Sequence, residues 1–450
     1  MSQRGKELTQ IFGYNGWIVV EVLFEADDGS RVTPLAGYDM PQGVRMVLMV
    51  RRRWAPRCCG CGAICRAAAK HEQLPKRRWI DLPWAGRPVV IEYASIRIKC
   101  SLCDSHAGEM VAWADRYQRQ TRRMQQHLAL DAASMPVLHV AAKYALSWAT
   151  VRRAEVGAIQ RWEATRLEVP LVFVGVDEKY LGRRHKRHEK FVTIVSNLKN
   201  GEPLWIGYGR SAATLATWLS GLASEQKATI KLFAMDMHRP FYNAVRADAG
   251  LNHAIIVHDP FHVLKRAGEA ISDVRRQVFF RAGSAMRRIG RGTRWLVLRA
   301  WEKSTKAQQV ELKQLFSWNS KLARAYQVVE ELRAVLHAPD RAAMVLGLSR
   351  ILRRTERRDN IPMRKLHESL ANHFQEIVAL GEHHPPTGRV EALNNNWETL
   401  VRRGRGYRDH AYLLLKLRFM VANPIRREDG VKRFIALGLP TPRKPAKQAA

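Results

Sequence analysis

The chain has 450 residues, 46% of them hydrophobic, enough for two to four domains with packed cores. Lys and Arg number 75 against 41 Asp and Glu, giving a formal net charge of +34 and a pI of about 10.6. Such an excess repels itself and suits a polyanion, nucleic acid first. No apolar run approaches the roughly 18 residues of a membrane span. No signal-peptide apolar region follows Met1-Ser2-Gln3-Arg4-Gly5-Lys6, and no basic amphipathic helix or lipidation signal points to a membrane surface. A cytoplasmic protein without a membrane partner is expected.

In chain order, Trp17 to Phe24 and Met46 to Val50 predict two strands, with Asp27-Asp28-Gly29 as turn chemistry. A hairpin follows: Trp79 to Leu82, a turn over Pro83 to Pro88 with Gly86, then Val89 to Tyr93. Helical periodicity runs from near Tyr117 to about Leu167, broken near Ala145. From Pro170 short apolar strands appear at Leu171–Val176, Phe191–Val195, Leu204–Tyr208, Leu232–Met235 and Ala254–Val257. Helical patterns at Ala212–Ala223 and Pro240–Ala249 separate the last three. Three strands, a helix, a strand, a helix and a strand is the order of a ribonuclease H-like α/β core. From about His262 to Leu380 the chain reads as helical and Arg-rich. Pro385-Pro386-Thr387-Gly388 breaks it, and a last helical block runs from Arg389 to Met420.

All six cysteines lie between Cys58 and Cys103. In a reducing cytosol this reads as a metal site rather than disulfides. Cys58-x-x-Cys61 and Cys100-x-x-Cys103 form two knuckles, and two residues between thiolates let both sulfurs reach one tetrahedral Zn²⁺. The hairpin between them would join the pairs, and four protein ligands make the site structural. Cys59 and Cys65 compete, since Cys61-x3-Cys65 is another spacing for a pair.

Pro136 to Tyr144 reads as a short helix and Ala145-Leu146-Ser147 as a turn, with Ser147 able to cap a second helix from Trp148. This is a helix-turn-helix pattern, whose second helix enters the major groove. Trp148, Thr150, Arg152 and Arg153 are its candidate DNA contacts.

Val174-Gly175-Val176-Asp177-Glu178 and Leu232-Phe233-Ala234-Met235-Asp236 each end an apolar run on an acid. Acids at the carboxyl edge of a sheet stand where α/β folds place ligands. Two of them can share one Mg²⁺, and a third acid is needed for a second ion in a two-metal phosphoryl displacement. Glu391 qualifies: Val390, Leu393, Trp397 and Leu400 form a buried helical stripe, with Glu391, Asn395 and Glu398 on a neighbouring polar face. Glu178, Asp259 and Glu398 remain rivals. His258 and His262 are candidate metal ligands by residue type, but the preferred reading is satisfied structural histidines.

Val176-Asp177-Glu178, Asp236-Met237-His238-Arg239-Pro240-Phe241-Tyr242, His258-Asp259-Pro260-Phe261-His262-Val263-Leu264-Lys265, Glu391-Ala392-Leu393-Asn394-Asn395 and Arg402-Arg403-Gly404-Arg405-Gly406-Tyr407-Arg408 carry a resemblance. Over nearly its whole length the chain resembles the bacterial insertion-sequence transposases with a DDE triad and an N-terminal zinc finger, the ISL-three family. The resemblance implies Asp177, Asp236 and Glu391 as the catalytic, magnesium- or manganese-holding triad, with Asp259 in a supporting signature. It implies binding of terminal inverted repeats and target DNA, metal-dependent strand cleavage and strand transfer, and a homodimer or larger assembly on DNA. Arg402, Arg403, Arg405 and Arg408 would clamp phosphates, and Tyr407 would stack on a base. Cys59 stands where the family's knuckle usually has Pro, and Asn197 where it often has Asp.

The expected architecture is multidomain α+β. It comprises an N-terminal β segment (1–50), a small zinc-binding β domain (51–110), a helix-turn-helix domain (111–168) and the first part of a ribonuclease H-like core (169–280). An α-helical insertion (281–384), the final core helices carrying the Glu (385–430) and a disordered tail (431–450) complete it. The competing functions are a non-catalytic DNA-binding regulator derived from a transposase and a structure-specific nuclease on the same fold.

Overall fold

The computed structural model describes residues 9–10, 13–14, 16–33, 43–65, 72–181, 190–281, 283–356 and 360–438. The chain divides into two compact units: 1–167 with 400–450, and 168–399.

The first unit holds a six-stranded sheet built from β1 (Trp17–Glu25), β2 (Arg31–Val32), β3 (Arg45–Arg52), β4 (Glu72–Trp84), β5 (Arg87–Lys99) and β6 (His106–Gly108). Its order is β2-β1-β3-β5-β4, with β6 on β5. Aromatic residues fill its core. Trp113 is almost fully buried and meets Trp17 and Trp79 edge-on, with ring centroids 4.5 and 5.5 Å apart. The β4–β5 hairpin is tighter than the Pro83-to-Pro88 turn predicted from sequence. Ala85 and Gly86 alone make it, with φ of 48° and 75°. Two positive φ values match the right-handed twist of the flanking strands, so Pro83 and Pro88 sit at the strand ends.

Three helices follow: α1 (Arg122–Ser134), α2 (Val137–Lys143) and α3 (Trp148–Glu163). Thr121 caps α1 and Ser147 caps α3, each hydroxyl accepting a main-chain N–H from the first turn. Ala145 takes a left-handed conformation, φ 51°, and turns the chain between α2 and α3. Met124, Leu128, Val140, Val151 and Ala154 form the shared core. Two later helices belong to this unit, His410–Ala422 and Glu428–Ala436. Phe419 of the first packs edge-on against Trp162 of α3, and Phe434 of the second is fully buried. Residues 431–438, expected to be disordered, are therefore partly helical and packed, and the rest of that tail lies outside the described residues. Residues beyond 400, expected to finish the core, cluster with the first unit instead.

The second unit is built on β7 (Phe173–Tyr180), β8 (Phe191–Asn197), β9 (Glu202–Tyr208), β10 (Leu232–Met235) and β11 (Ile255–His258). Their order is β11-β10-β7-β8-β9. β10 runs parallel to both β7 and β11, while β8 is antiparallel to β7 and β9. Side chains alternate across the sheet. Val174, Val176, Phe233 and Met235 pack with Leu215 and Trp218 of α4 (Ala212–Ser220). The same face meets Phe241 and Val245 of α6 (Arg239–Ala247), after the short α5 (Ser224–Thr229). Leu232, Ala234 and Val257 face the other way. That face is covered by α7 (Pro260–Arg275), Val390 and an insertion of helices. The insertion comprises α8 (Ser284–Gly290), α9 (Arg294–Leu298), α10 (Lys306–Trp318), α11 (Ser320–Leu336), α12 (Arg341–Thr355), α13 (Ile361–Asn372), α14 (Phe374–Val378) and α15 (Leu380–His383).

Val390 begins the buried stripe of α16 (Gly388–Gly404), and Leu393, Trp397 and Leu400 continue it as predicted. Gly175 lets this helix approach β7 closely. A Cβ there would lie 2.7 Å from Ser196 Oγ, 2.8 Å from Leu198 Cδ2 and 3.0 Å from Val390 Cγ2. The two C-terminal helices of the first unit are α17 (His410–Ala422) and α18 (Glu428–Ala436). Among the described residues, no helix is long and apolar enough to cross a membrane.

Candidate functional site

Strand register builds the site. The parallel pairing of β7 and β10 ends at Val176 opposite Met235, and that of β10 and β11 at Met235 opposite His258. The next residue on each strand is an acid: Asp177, Asp236 and Asp259. Three carboxylates thus stand in a row at one sheet edge. Asp177 is not at the end of its strand, as the sequence suggested, because β7 continues to Tyr180 in antiparallel pairing with β8.

Asp177 is 6% exposed. Its Oδ1 accepts the Glu178 N–H at 2.7 Å, and its Oδ2 accepts Asn394 Nδ2 at 2.6 Å. Asp236 Oδ1 accepts the Met237 N–H at 2.6 Å. His262 on α7 stands between the two, its Nδ1 3.4 Å from Asp236 Oδ2 and its Nε2 3.9 Å from Asp177 Oδ1. Among the described residues, the ion pairs of both acids are with this histidine alone. Two neighbouring carboxylates without Lys or Arg are a site that a divalent cation suits.

The rivals separate. Glu178 alternates to the opposite side of the strand and pairs with Arg210 at 3.0 Å. Asp259 caps α7 by accepting the Phe261 N–H at 3.0 Å, and burial raises its carboxyl pKa. Glu391 is exposed, one turn before Asn394 on α16, and Asn395 and Glu398 are exposed with it. Sequence reasoning missed Asn394, which lies at the boundary of the buried stripe. It also set aside His262 as merely structural, although it stands between Asp177 and Asp236.

The cysteines converge. The Sγ atoms of Cys58, Cys61, Cys100 and Cys103 all lie within 4.8 Å of one another. Cys58–Cys103 and Cys61–Cys100 are each 3.6 Å apart. Tetrahedral zinc with bonds of about 2.3 Å needs sulfur separations of about 3.8 Å, so the set fits. The main-chain N–H groups of Leu102 and Cys103, aimed at the Cys100 sulfur, lower its pKa to about 6. Cys59 and Cys65 stay outside this group of four.

The DNA-reading candidates differ in their freedom. Trp148 and Arg153 are exposed at the start of α3. The Thr150 hydroxyl lies 2.9 Å from that of Ser147. Arg152 is tied back, paired with Asp409 and stacked on Tyr412 at 4.7 Å. Arg402, Arg405 and Arg408 are exposed, whereas Arg403 donates to the Ala133 carbonyl at 2.7 Å. Tyr407 is half-buried.

The profile of the ISL3 transposase family, described as "Transposase", matches residues 174–417. The span takes in all five strands of the second unit, the acids at the sheet edge and α16. The chain belongs to the ISL3 transposase family. The profile of the "Helix-turn-helix domain of transposase family ISL3" matches residues 109–155, covering α1, α2 and the start of α3. This transposase is 30% identical to the transposase for insertion sequence element IS1001 of Bordetella parapertussis over 416 residues, 92% of this chain and 97% of that protein. It is 25% identical to the transposase for insertion sequence element IS1557 of Mycobacterium tuberculosis, over 88% of this chain and 90% of the other. Family membership implies DNA binding through the helix-turn-helix and DNA cleavage and transfer.

Proposed function

We propose that this transposase binds the terminal inverted repeats of a bacterial insertion sequence and cuts and joins DNA with Asp177, Asp236 and Glu391. The observation that carries the proposal is the register that sets Asp177 beside Asp236, with no Lys or Arg ion pair to either among the described residues. The order β11-β10-β7-β8-β9, in which β8 alone runs opposite to the other four strands, supports a ribonuclease H-like core.

The three acids would hold two Mg²⁺ or Mn²⁺ ions, which when bound activate the attacking and leaving oxygens of an in-line phosphoryl displacement. The protein's own contribution is placement. The sheet fixes Asp177 and Asp236, and Asn394 holds one Asp177 oxygen and so restricts its rotamer. The helix that bears Asn394 also bears Glu391, brought close to β7 by the missing side chain of Gly175. Water attacks the phosphodiester at the element end and leaves a 3′-OH. That hydroxyl then attacks a target phosphodiester, joining to its phosphorus as the target strand's 3′-oxygen leaves as a new 3′-OH, with no covalent protein–DNA intermediate. Two ends are held at once, so the working form is a dimer or larger assembly on DNA.

Glu391→Gln is expected to lower cleavage of an inverted-repeat duplex by about 10²-fold or more, with DNA affinity retained. Unchanged cleavage would assign the third carboxylate elsewhere. A pre-cleaved end separates transposition from simple hydrolysis, because joining to a target in Mg²⁺ is expected and a nuclease would not join.

Cys58, Cys61, Cys100 and Cys103 would hold a structural Zn²⁺ beside the helix-turn-helix, whose Trp148, Thr150 and Arg153 meet base edges. Arg402, Arg405 and Arg408 would contact phosphates. Cys100→Ser is expected to remove one zinc equivalent by elemental analysis, and Cys59→Ala to retain it. The reverse result would move the ligand set to Cys59.

A further inference from the structure

A second convergence of ligand atoms lies outside the acids and the cysteines. His258 closes β11 and is 1% exposed. Its Nδ1 is 3.3 Å from the Met235 carbonyl oxygen, so that ring N–H donates there. The Nε2 lone pair then faces Nδ1 of His373, 3.0 Å away, with the rings edge to face at 88°. His373 is the residue between α13 and α14, and Glu376 follows it on α14. A ligand atom from each of His258, His373 and Glu376 lies within 4.8 Å of the others.

We propose that His258, His373 and Glu376 form a Zn²⁺ site, with two imidazoles, one carboxylate and a fourth position for water. Three details of the geometry match. Zinc with bonds to nitrogen of about 2.0–2.1 Å sets its ligand nitrogens about 3.3 Å apart, so the histidine pair needs an adjustment of only about 0.3 Å. An imidazole that gives one N–H to a main-chain carbonyl and offers its other nitrogen is oriented as metal-bound histidines are. Glu376, three residues after His373, brings an anionic oxygen to a place where a plain histidine–histidine hydrogen bond requires none. Burial also favours the neutral rings that bind metal, lowering the His258 pKa to about 4 and lowering that of His373 as well.

The role of the site follows from its position. It ties the end of β11, a strand of the sheet, to the junction of α13 and α14 in the insertion, 115 positions later in the sequence. The clamp sits one residue before Asp259 and bonds the carbonyl that precedes Asp236. It therefore holds the insertion in register with the acidic edge without contributing a ligand to it.

The test is a Co²⁺ titration of the metal-free full-length protein, followed by absorption. Cobalt bound by four thiolates shows sulfur-to-metal charge transfer in the near ultraviolet. Four-coordinate cobalt on nitrogen and oxygen shows visible bands without it, and cobalt at a six-coordinate carboxylate site absorbs far more weakly. The expected result is one equivalent with charge transfer and a second, four-coordinate one without. The second is lost in His373→Asn, weakened in Glu376→Gln and retained in Asp236→Asn, which separates it from the acids proposed as catalytic. A wild-type chain with only the thiolate equivalent overturns the proposal. So does a second equivalent that survives both His373→Asn and Glu376→Gln. The wild-type titration decides even if a variant fails to fold.

Discussion

Asp236→Asn is expected to reduce both cleavage and strand transfer by about 10³-fold or more, while affinity for an inverted-repeat duplex stays within a factor of about two. The substitution keeps the shape of the side chain and its hydrogen bond from the Met237 N–H, but removes the charge. Asp236 follows a four-residue strand with every residue buried, so the main chain that carries it is held firmly. The loss should therefore appear in the rate of chemistry and not in folding. Gel-shift titration and single-turnover cleavage on the same preparation measure the two quantities. A variant that cleaves at more than about a tenth of the wild-type rate would place the chemistry elsewhere on the sheet edge, with Asp259 the next carboxylate in the row.

Glu155→Ala should destabilise the first unit by about 3–5 kcal/mol. Glu155 lies on the buried side of α3 and is 1% exposed. It accepts from Lys416 Nζ and Tyr412 Oη, both on α17. Removing the carboxylate leaves a buried ammonium, since Lys416 is itself only 6% exposed and its remaining bond is a long one to the Ala132 carbonyl. In the intact protein burial, with the adjacent carboxylate, raises the Tyr412 pKa well above its ordinary range, so the phenol is the donor in its bond to Glu155. Chemical denaturation of Glu155→Ala, and of Glu155→Ala with Lys416→Met, checks the argument. The double variant is expected to recover much of the loss, because it removes the unpaired cation as well. Equal stability of wild type and Glu155→Ala would show that the pair contributes nothing.

Parts of this structure could be read from the residues because they are local. The strand β10 is where its four apolar residues predicted it, and Ser147 caps α3 as its position before Trp148 implied. The buried stripe of α16 repeats at helical spacing and packs as expected. The two knuckles come together, with the sulfurs of Cys58, Cys61, Cys100 and Cys103 within 4.8 Å of one another. What could not be read depends on partners distant in sequence. Strand register, which sets Asp177 beside Asp236, pairs residues 59 positions apart, and no pattern within either segment specifies it. His258 meets His373 across 115 positions, so the pairing could not be read from either segment alone. Arg152 looked like a base-reading residue from its place on α3, but Asp409 and Tyr412 engage it from far along the chain. The apolar residues of α17 announced a packed helix without naming its partner, which is why that segment was expected in the core.

The dependence of α3 on α17 has a consequence for synthesis. A ribosome completes the recognition helix early, but Lys416 and Tyr412 emerge only after the whole of the second unit has been made. Until then Glu155 lacks its partner Lys416, and the helix lacks the support of Phe419 on Trp162. A nascent or prematurely ended chain would thus carry a poorly formed reader of DNA.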